Sequence, residues 1–321
     1  MSPYKMSLII PFYNSASHVD NLFKSLSNET IFNDIEIICV NDGSTDGTEK
    51  KLEKYANKYK NVSIVSNGEN LGTYDARRNG LKKATSKYIS FMDSDDTIGP
   101  TFHEELYEKI ISSGAPIVSS FHVMKILKNK KIIPAKEIET VSLKDNELVK
   151  ITSEDKKARS LFVRVPWIWT NIFNRRVLRP YSLLPPVPLV FGEDDILYYS
   201  SMITAGRVLF IYTDSPYIYN QQYETNAMIS NEGKRKICSQ SFARSQILLD
   251  TFLMEFNHMD FLPLIKEKRK IMKQFLIKKY MDTFNTETFI DSKTKEILYS
   301  STPQEKEAER IEIMNIINFL D

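Results

Sequence analysis

The stretch from Tyr88 to Asp96, YISFMDSDD, decides the predicted fold because an apolar run here ends abruptly in three carboxylates. A short apolar run bounded by polar turn residues is typical of a buried strand. Carboxylates gathered at a strand end repel one another, and such groups commonly persist where a cation lies among them. The alternative is that the aspartates cap the next helix, since Asp is favoured at turns and N-caps. The stretch predicts a buried strand followed by a cation site or by a helix cap.

Outward from this strand, the first part of the chain alternates between strand and helix patterns. This alternation predicts an α/β fold with a mostly parallel sheet flanked by helices. Right-handed crossovers place the loops that follow such strands at one edge of the sheet. We therefore expect the turn after the first strand, the loop 41–47 and the aspartates 93–96 to converge. The predicted strands are 6–11, 35–40, 62–66 and 88–92, and the predicted helices are 16–26, a segment ending near 58, and 73–84.

The pattern is looser in the rest of the chain. A helix at 100–113 and a strand at 116–121 continue the sheet, and residues 124–150 favour either a hairpin or an irregular insertion. Segments that follow are predicted as a proline-rich extended loop at 185–188, a helix opened by residues 191–195, strands at 208–212 and 216–220, and helices from 234 to the end.

The composition is that of a globular protein with a substantial core, since 42% of the residues are hydrophobic. Lys and Arg total 43 against 41 Asp and Glu, and the net charge of +2 argues against a dedicated nucleic-acid partner. Two cysteines form neither a disulfide framework nor a metal-spaced pair, which suits a reducing compartment. The four histidines are interpreted as structural or surface residues. No leader or membrane-spanning run is apparent, so we expect a cytoplasmic protein that can lie at the inner face of the cytoplasmic membrane.

Two segments place polar side chains beside a predicted strand or helix. Asp42, in the loop VNDGS, either belongs to a helix-capping turn or accepts a hydrogen bond from the ring N–H of a pyrimidine base. In NLGTYDARRNG, residues 70–80, a glycine turn precedes Arg77 at the start of a helix. Helix N-termini and Arg both favour phosphate. The alternative for this second segment is a solvated basic patch.

A second acidic cluster, FGEDD, occupies residues 191–195. Acidic residues in the first turn of a helix are stabilised by the helix dipole, which gives the cluster a structural explanation. A carboxylate kept apart from a metal site can also accept a proton, and transfer of a group to a hydroxyl needs both functions. The two clusters together favour such a transfer.

Five segments, in this order and spacing, resemble the inverting glycosyltransferases of family 2 with the GT-A fold. The resemblance is continuous over roughly residues 6–125 and weaker to about residue 230. It implies a GT-A domain, which is a Rossmann-like α/β fold. In this domain residues 1–125 would bind the nucleotide sugar and residues 126–230 would bind the acceptor. A helical extension would follow at 231–321. The segments are SLIIPFYN (7–14), VNDGSTDGT (40–48), NLGTYDARRNGLKKA (70–84), YISFMDSDD (88–96) and FGEDD (191–195).

The resemblance also implies an activity. A sugar is transferred with inversion from a nucleoside diphosphate donor, commonly a UDP-sugar, to a hydroxyl of a glycan or lipid-linked acceptor in bacterial capsule, lipopolysaccharide or other surface polysaccharide synthesis. Mn²⁺ or Mg²⁺ is held at the DXD motif by Asp93 and Asp95. Asp194 matches the general base, and Glu193 holds the acceptor or the donor sugar. The donor-binding residues are Pro11, Phe12, Tyr13, Asp42, Gly72, Arg77, Asp93, Ser94 and Asp95.

Three other segments carry predictions as well. Trp167 and Trp169 either stack on an acceptor sugar or fill the core, and Asp195 is placed with them in the acceptor site. Residues 264–281 form a basic amphipathic pattern that either lies on an anionic membrane or packs on the catalytic domain. Residues 305–320 form a last amphipathic helix that suits a homodimer contact.

Two other functional classes stay open at this point. A metal-dependent nucleotidyltransferase also uses carboxylates and a metal on an α/β sheet, but it does not need a second acidic cluster as a base. A catalytically silent sugar-binding or scaffold subunit with the GT-A fold would keep the architecture and lose the chemistry.

Overall fold

A computed structural model describes residues 2–127, 129–135, 142–162, 167–187, 189, 192–220 and 232–270 of the 321-residue chain. Over these ranges, no helix has the length and apolar character needed to cross a bilayer. The strands are β1 (Met6–Phe12), β2 (Ile35–Asn41), β3 (Val62–Ser66), β4 (Tyr88–Phe91), β5 (Thr97–Ile98), β6 (Ile117–Ser120), β7 (Val123–Ile126), β8 (Ile132–Pro134), β9 (Glu147–Lys150), β10 (Asn171–Asn174), β11 (Arg207–Ile211) and β12 (Tyr217–Asn220). The helices are α1 (Val19–Leu26), α2 (Thr48–Lys58), α3 (Thr73–Lys83), α4 (Phe102–Ser113), α5 (Lys156–Phe162), α6 (Arg179–Leu183), α7 (Glu193–Ala205) and α8 (Glu232–Glu255), and residues 262–270 are also helical.

A mixed eight-stranded sheet with the order β3-β2-β1-β4-β10-β6-β11-β9 forms the centre of the molecule. The strands β3, β2, β1 and β4 pair in parallel, as the alternation of patterns predicts. β10 runs antiparallel to β4 on one side and to β6 on the other. β6 therefore continues the sheet, but β10 separates it from β4. Strands from the two predicted halves of the chain thus interleave in one sheet.

A smaller sheet with the order β5-β12-β7-β8 lies beside the loop that carries the first acidic cluster. β7 and β8 pair antiparallel, so the hairpin is the correct alternative for the part of residues 124–150 that they occupy. β12 pairs antiparallel with β5, which follows the acidic loop directly. This pairing brings the end of the second half of the chain to the acidic loop of the first half.

The core is formed mainly by the central sheet and the helices packed on it. β2 is buried along its whole length, as expected for a parallel strand covered on both faces. Helix α1 buries Val19, Leu22, Phe23 and Leu26, which share one helical face. Full burial of a side chain such as Phe23 contributes roughly 1.5–3 kcal/mol to folding. α3 packs on β1 and β2 and thereby fixes the helix that carries Arg77.

The C-terminal extension is helical where the structure describes it. Leu264 and Ile265 are buried in the core, and Lys268 and Arg269 beside them are also buried. The described part of the basic segment 264–281 therefore packs on the rest of the protein. Residues 271–281 and the segment 305–320 lie outside the described residues.

Candidate functional site

The loops that follow β1, β2 and β4 meet at one edge of the central sheet. The backbone N–H of Asp42 donates to the Phe12 carbonyl at 2.8 Å, which joins the second loop to the first. The hydroxyls of Ser15 and Ser94 lie 3.0 Å apart, which joins the first loop to the third. The predicted convergence is therefore present. Within the first turn, the Phe12 side chain is fully buried and the Tyr13 ring is 50% exposed, so Tyr13 is the ring that can contact a ligand.

Asp42 is buried and has protein partners at both carboxylate oxygens. Oδ1 accepts hydrogen bonds from Asn67 Nδ2 at 2.7 Å and from the Leu71 backbone at 3.0 Å. Oδ2 accepts from the backbone N–H of Gly72 at 2.9 Å. A carboxylate that satisfies two backbone donors fixes the shape of the chain segment that carries them. Asp42 therefore braces the glycine turn that leads into α3.

Gly72 has a backbone conformation that only glycine adopts readily, with φ +87° and ψ 158°. A Cβ atom at this position would lie 2.5 Å from the backbone oxygen of Leu189. The turn therefore passes closely beside the chain segment just before α7. This close approach positions α3 relative to the second acidic cluster.

Arg77 joins the two acidic clusters. Its side chain is 3% exposed, and Nη2 lies 2.9 Å from Asp93 Oδ1. Nη1 lies 2.6 Å from Asp194 Oδ1 and 3.5 Å from Glu193 Oε1. Three carboxylates around one guanidinium leave a net negative charge, which holds the pKa of Arg77 well above its ordinary value against the effect of burial. The sequence separates these clusters widely, and the structure brings them together in one cleft.

The carboxylates of the first cluster have different environments. Asp96 is fully buried, and it accepts hydrogen bonds from the Tyr217 hydroxyl at 2.7 Å and the Asn220 backbone at 2.8 Å. Asp96 therefore anchors β12 and does not cap a helix. The Asp93 side chain is 30% exposed. Burial, with a smaller effect from Asp93, raises the pKa of Asp95 to about 6.

Asp93 and Asp95 fit a divalent cation that a bound diphosphate would complete. Oxygen ligands suit Mg²⁺ and Mn²⁺, and Mg²⁺ is commonly held by one or two carboxylates together with substrate phosphates. Among the residues that the structure describes, no group of three or more His, Cys, Asp or Glu side chains is arranged to enclose a metal ion. Burial raises the pKa of Asp95, Asp93 adds to the rise, and a bound cation would favour the ionised form of both carboxylates. The donor set thus provides part of a coordination shell that a substrate can complete.

The second acidic cluster forms the first turn of α7, where the helix dipole stabilises negative charge. Burial and the neighbouring carboxylates raise the pKa of Asp194 well above its ordinary value, while Arg77 opposes the rise. The Asp194 side chain is 31% exposed, so solvent moderates this effect. A carboxylate with a raised pKa is a stronger base than an ordinary one and can accept a proton from a hydroxyl.

Asp195 points away from this cleft, toward the C-terminal helices. It is 5% exposed, and its Oδ2 lies 3.5 Å from Gln246 Nε2 on α8. Burial raises its pKa to about 6, although the positive charge of Lys268 opposes the rise. The sequence placed Asp195 with the acceptor residues, and the structure surrounds it with the helical extension.

The two tryptophans form an aromatic stack beside the acidic loop. The ring centroids of Trp167 and Trp169 lie 5.1 Å apart, and that of Trp169 lies 4.1 Å from the Tyr217 ring. Trp169 is 4% exposed, whereas Trp167 is half-buried. Trp169 thus fills the interior of the stack, and Trp167 is the ring that can contact a ligand.

Tyr217, Gln246 and Lys268 support the site and were not predicted from the sequence. Tyr217 lies in a segment that the pattern identifies only as a strand, and the other two lie in helices with no motif. The burial of Lys268 near the second acidic cluster is visible only in the structure. Only the partner of Asp96 could have been anticipated in part. A third buried carboxylate beside Asp93 and Asp95 needs a hydrogen-bond donor of its own.

Comparison with known proteins places this geometry in a family. The sequence profile "Glycosyl transferase family 2" matches residues 7–180. The cholesterol galactosyltransferase of Borreliella burgdorferi is 30% identical over 232 residues, which cover 71% of this chain and 63% of that protein. The uncharacterized glycosyltransferase EpsJ of Bacillus subtilis is 29% identical over 219 residues, which cover 66% of this chain and 61% of that protein. The matched region thus spans less than two thirds of either relative.

The fold is similar to that of a solved structure, that of S. aureus TarS. The structure of S. aureus TarS residues 1–349 in complex with UDP-GlcNAc has a TM-score of 0.58 and 17% sequence identity, with 98% of this chain and 90% of that chain covered. This likeness supports the GT-A architecture, an α/β domain with a large central sheet flanked by helices. With the profile match over more than half of its length, the chain belongs to glycosyl transferase family 2.

Proposed function

We propose that this chain transfers a sugar, with inversion, from a nucleoside diphosphate donor to a hydroxyl of a glycan or lipid-linked acceptor. The observation that carries the proposal is the position of Arg77, which contacts Asp93 of the first acidic cluster and Asp194 of the second. The aspartate proposed to bind the metal and the aspartate proposed to accept the proton therefore lie in one cleft but on different segments. A nucleotidyltransferase would not need the second function.

The donor is a nucleotide sugar, and a UDP-sugar is favoured by likeness to TarS, whose structure contains UDP-GlcNAc. Tyr13, Ser94 and the glycine turn braced by Asp42 surround the edge where the nucleotide would bind. The carboxyl ends of parallel strands are the usual ligand site of such sheets. An acceptor hydroxyl agrees with the name of the galactosyltransferase relative, and a bacterial surface glycan is the class of product that we infer from the family.

Asp93 and Asp95 would hold Mg²⁺ or Mn²⁺ at the donor diphosphate. When bound, the ion neutralises the negative charge that develops on the departing nucleoside diphosphate. Arg77 adds a fixed positive charge beside Asp93 and partly offsets the negative charge of the acidic clusters. The protein thus orients the leaving group with charges of both signs.

Asp194 is the proposed general base. Its bond to Arg77 through Oδ1 fixes the orientation of the carboxylate, and its 31% exposure leaves it accessible to an acceptor. Proton transfer to a positioned carboxylate commonly contributes ~10²–10⁴-fold in rate. Attack by the hydroxyl on the face opposite the leaving group inverts the anomeric centre in one step. Glu193 lies beside it and is proposed to contact the sugar.

The test is a binding and turnover comparison of the wild type with Asp95→Ala and Asp194→Asn. Calorimetry with a panel of nucleotide sugars, with and without Mn²⁺, measures donor binding, and nuclear magnetic resonance of the product measures its anomeric configuration. We expect Asp95→Ala to weaken metal-dependent donor binding, and Asp194→Asn to keep donor binding and to lose transfer. Glu53→Gln, which alters an exposed carboxylate on α2, is the matched control.

Equal loss of donor affinity in both variants would contradict the division of roles. Absence of binding by every nucleotide sugar under every metal condition would contradict the enzymatic proposal and favour the scaffold alternative. Retention of the anomeric configuration would contradict single-step transfer.

A further inference from the structure

A large cavity lies at the edge of the central sheet opposite the candidate active site. Its volume is about 840 Å³, and its lining includes Lys5 just before β1, Ser86 and Tyr88 at the start of β4, and Asn174 at the end of antiparallel β10. These positions define the amino edge of the parallel strands, whereas the acidic clusters occupy the carboxyl edge. The cavity is therefore separate from the cleft around Arg77.

The charged side chains that line this cavity are all basic. In the described part of the chain, no Asp or Glu side chain belongs to the lining. This is notable in a chain whose 43 basic and 41 acidic residues nearly balance, because an even distribution would mix the two signs. The basic residues come from separate segments of the sequence, and we call them the basic pocket: Lys5, Lys82, Lys87, Arg175, Arg176 and Arg179.

Some of these cations are already engaged by the protein. Lys5 pairs with Asp34 at 2.8 Å. The Arg175 guanidinium donates to the carbonyls of Ala84 at 2.5 Å and Leu81 at 3.1 Å, which caps the C-terminal end of α3. Arg176 and Arg179 are exposed, and no ion pair joins either side chain to a carboxylate among the described residues. These two arginines can therefore bind an anion without breaking an ion pair between described residues.

Apolar and aromatic side chains line the same cavity. Leu81, Tyr88 and Leu178 are buried behind it, and Tyr107 is half-buried. Ile111 on the lining is 50% exposed, and Leu183, next to the lining residue Ser182, is 60% exposed. Exposed large apolar residues beside Lys and Arg are typical of surfaces that contact the interface of an anionic membrane.

We propose that the basic pocket binds the phosphate headgroup of an anionic phospholipid and so attaches this edge of the protein to a bilayer. Arg176 and Arg179 would bind the phosphate, since guanidinium groups match phosphate oxygens in pairs. Ile111 and Leu183 would enter the interfacial region. A soluble anion would explain the charge but leaves the exposed apolar pair without a role.

The proposal predicts an orientation. The seven residues of β1 join the amino edge to the carboxyl edge. At about 3.3 Å per residue, the candidate active site would lie on the order of 20 Å above the pocket. The hydroxyl of a lipid-linked acceptor would then have to lie at about this distance from the membrane surface, at the end of a glycan.

The test is sedimentation of the full chain with vesicles. The vesicles contain either phosphatidylcholine alone or phosphatidylcholine with phosphatidylglycerol, at low and at high salt. We expect binding to the phosphatidylglycerol vesicles at low salt, weaker binding at high salt, and a loss of at least about tenfold in Arg176→Glu/Arg179→Glu. Lys54→Glu/Lys58→Glu, which reverses two exposed cations on α2, is the matched control and should bind nearly as well as the wild type.

Three results would overturn the proposal. The first is no binding of the wild type to phosphatidylglycerol vesicles at low salt. The second is equal vesicle binding by the pocket variant and the control variant. The membrane contact would then lie elsewhere, such as in the segment 264–281. The third is binding of soluble glycerol phosphate, detected by calorimetry and lost in the pocket variant, without any vesicle binding. Thermal unfolding of both variants verifies that they fold, as expected for changes at exposed side chains.

Discussion

Arg77 and Asp194 are separated by 117 positions in the sequence, yet Nη1 of the arginine lies 2.6 Å from Oδ1 of the aspartate. The same guanidinium lies 2.9 Å from Asp93 Oδ1. One side chain on α3 therefore forms ion pairs with both acidic clusters.

Replacing Arg77 by Met should strongly destabilise the protein. Asp93, Glu193 and Asp194 would lose their shared positive partner, and removing one partner of a buried ion pair commonly costs about 3–5 kcal/mol. Chemical denaturation measures this change in the free energy of unfolding. Arg159→Met removes an exposed ion pair with Glu267 and should cost less than about 1 kcal/mol. Similar losses in both variants would contradict the central position of Arg77.

Replacing Asp42 by Asn should lower stability as well as donor affinity. The amide nitrogen of Asn cannot accept a hydrogen bond, so in one orientation Leu71 and Asn67 lose their acceptor. In the other orientation the Gly72 N–H keeps only its bond to Asn70 Oδ1. A buried donor left without a partner costs roughly 1–3 kcal/mol. Chemical denaturation measures the change in stability, and calorimetry on the same preparations measures the change in donor affinity. Reduced nucleotide binding with unchanged stability would indicate that Asp42 contacts the base and does not brace the turn.

Replacing Gly72 by Ala should cost more than the same change at Gly47. Both glycines have a positive φ, +87° and +89°, but a Cβ at Gly72 would meet the Leu189 backbone oxygen at 2.5 Å, whereas Gly47 has open space. Backbone strain alone costs on the order of 1–3 kcal/mol, and the clash adds to it. Thermal unfolding of the two variants measures the difference. Equal stability of the two would show that the contact between the turn and the segment before α7 adjusts freely.

Replacing Tyr217 by Phe should weaken the attachment of β12 to the acidic loop. The hydroxyl donates to buried Asp96 at 2.7 Å and accepts from the Asp93 backbone at 3.4 Å. Leaving the Asp96 carboxylate with one fewer donor should cost roughly 1–3 kcal/mol. We also expect weaker metal-dependent donor binding, because Asp93 and Asp95 lie on the same loop. Unchanged unfolding and binding would show that the loop keeps its shape without this bond.

Asp195 should make stability depend on pH in acid. Its pKa is about 6 in the folded protein against an ordinary value of 3.8, so the folded state binds its proton more tightly than the unfolded state does. The contribution of Asp195 to the free energy of unfolding therefore falls as the pH rises from about 4 to about 6. Above about pH 6 this contribution is constant. The fall amounts to roughly 2–3 kcal/mol, since one pKa unit corresponds to about 1.4 kcal/mol.

Urea denaturation of the wild type and Asp195→Asn at several pH values between 4 and 7 checks this slope. The variant should show a smaller decrease over the range, while Asp260→Asn, at an exposed position, should follow the wild type. Only slopes are compared, because the substitution also alters the contact with Gln246, and that change is independent of pH. Parallel curves for all three proteins would contradict the raised pKa.

The sequence predicted the parallel part of the fold well, because each of β1 to β4 is an apolar run that ends in polar turn residues. β10 was missed, since its four residues begin and end with Asn and it carries no alternating pattern. Its place between β4 and β6 depends on pairings between distant segments, which local patterns do not record. The basic pocket was missed for a similar reason, since its six cations come from three separate parts of the sequence, at residues 5, 82–87 and 175–179.

The sequence predicted candidate residues for the site, but not how they are arranged. Motifs identified Asp93, Asp95 and Asp194 from their neighbours in the chain, and the resemblance assigned their roles. The ion pairs of Arg77 could not be predicted, because they depend on how α3 and α7 pack. The partners of Asp195 could not be predicted either, since Gln246 and Lys268 belong to helices with no motif.

The interleaved sheet limits how this enzyme family member can be recombined with its relatives. β6 precedes residue 125 in sequence but lies between β10 and β11, which follow it. A chimera joined near residue 125 would have to recreate the backbone pairings of β10 with two strands from the other parent. Exchange of acceptor preference between relatives is therefore better attempted by grafting surface loops, with all eight strands taken from one parent.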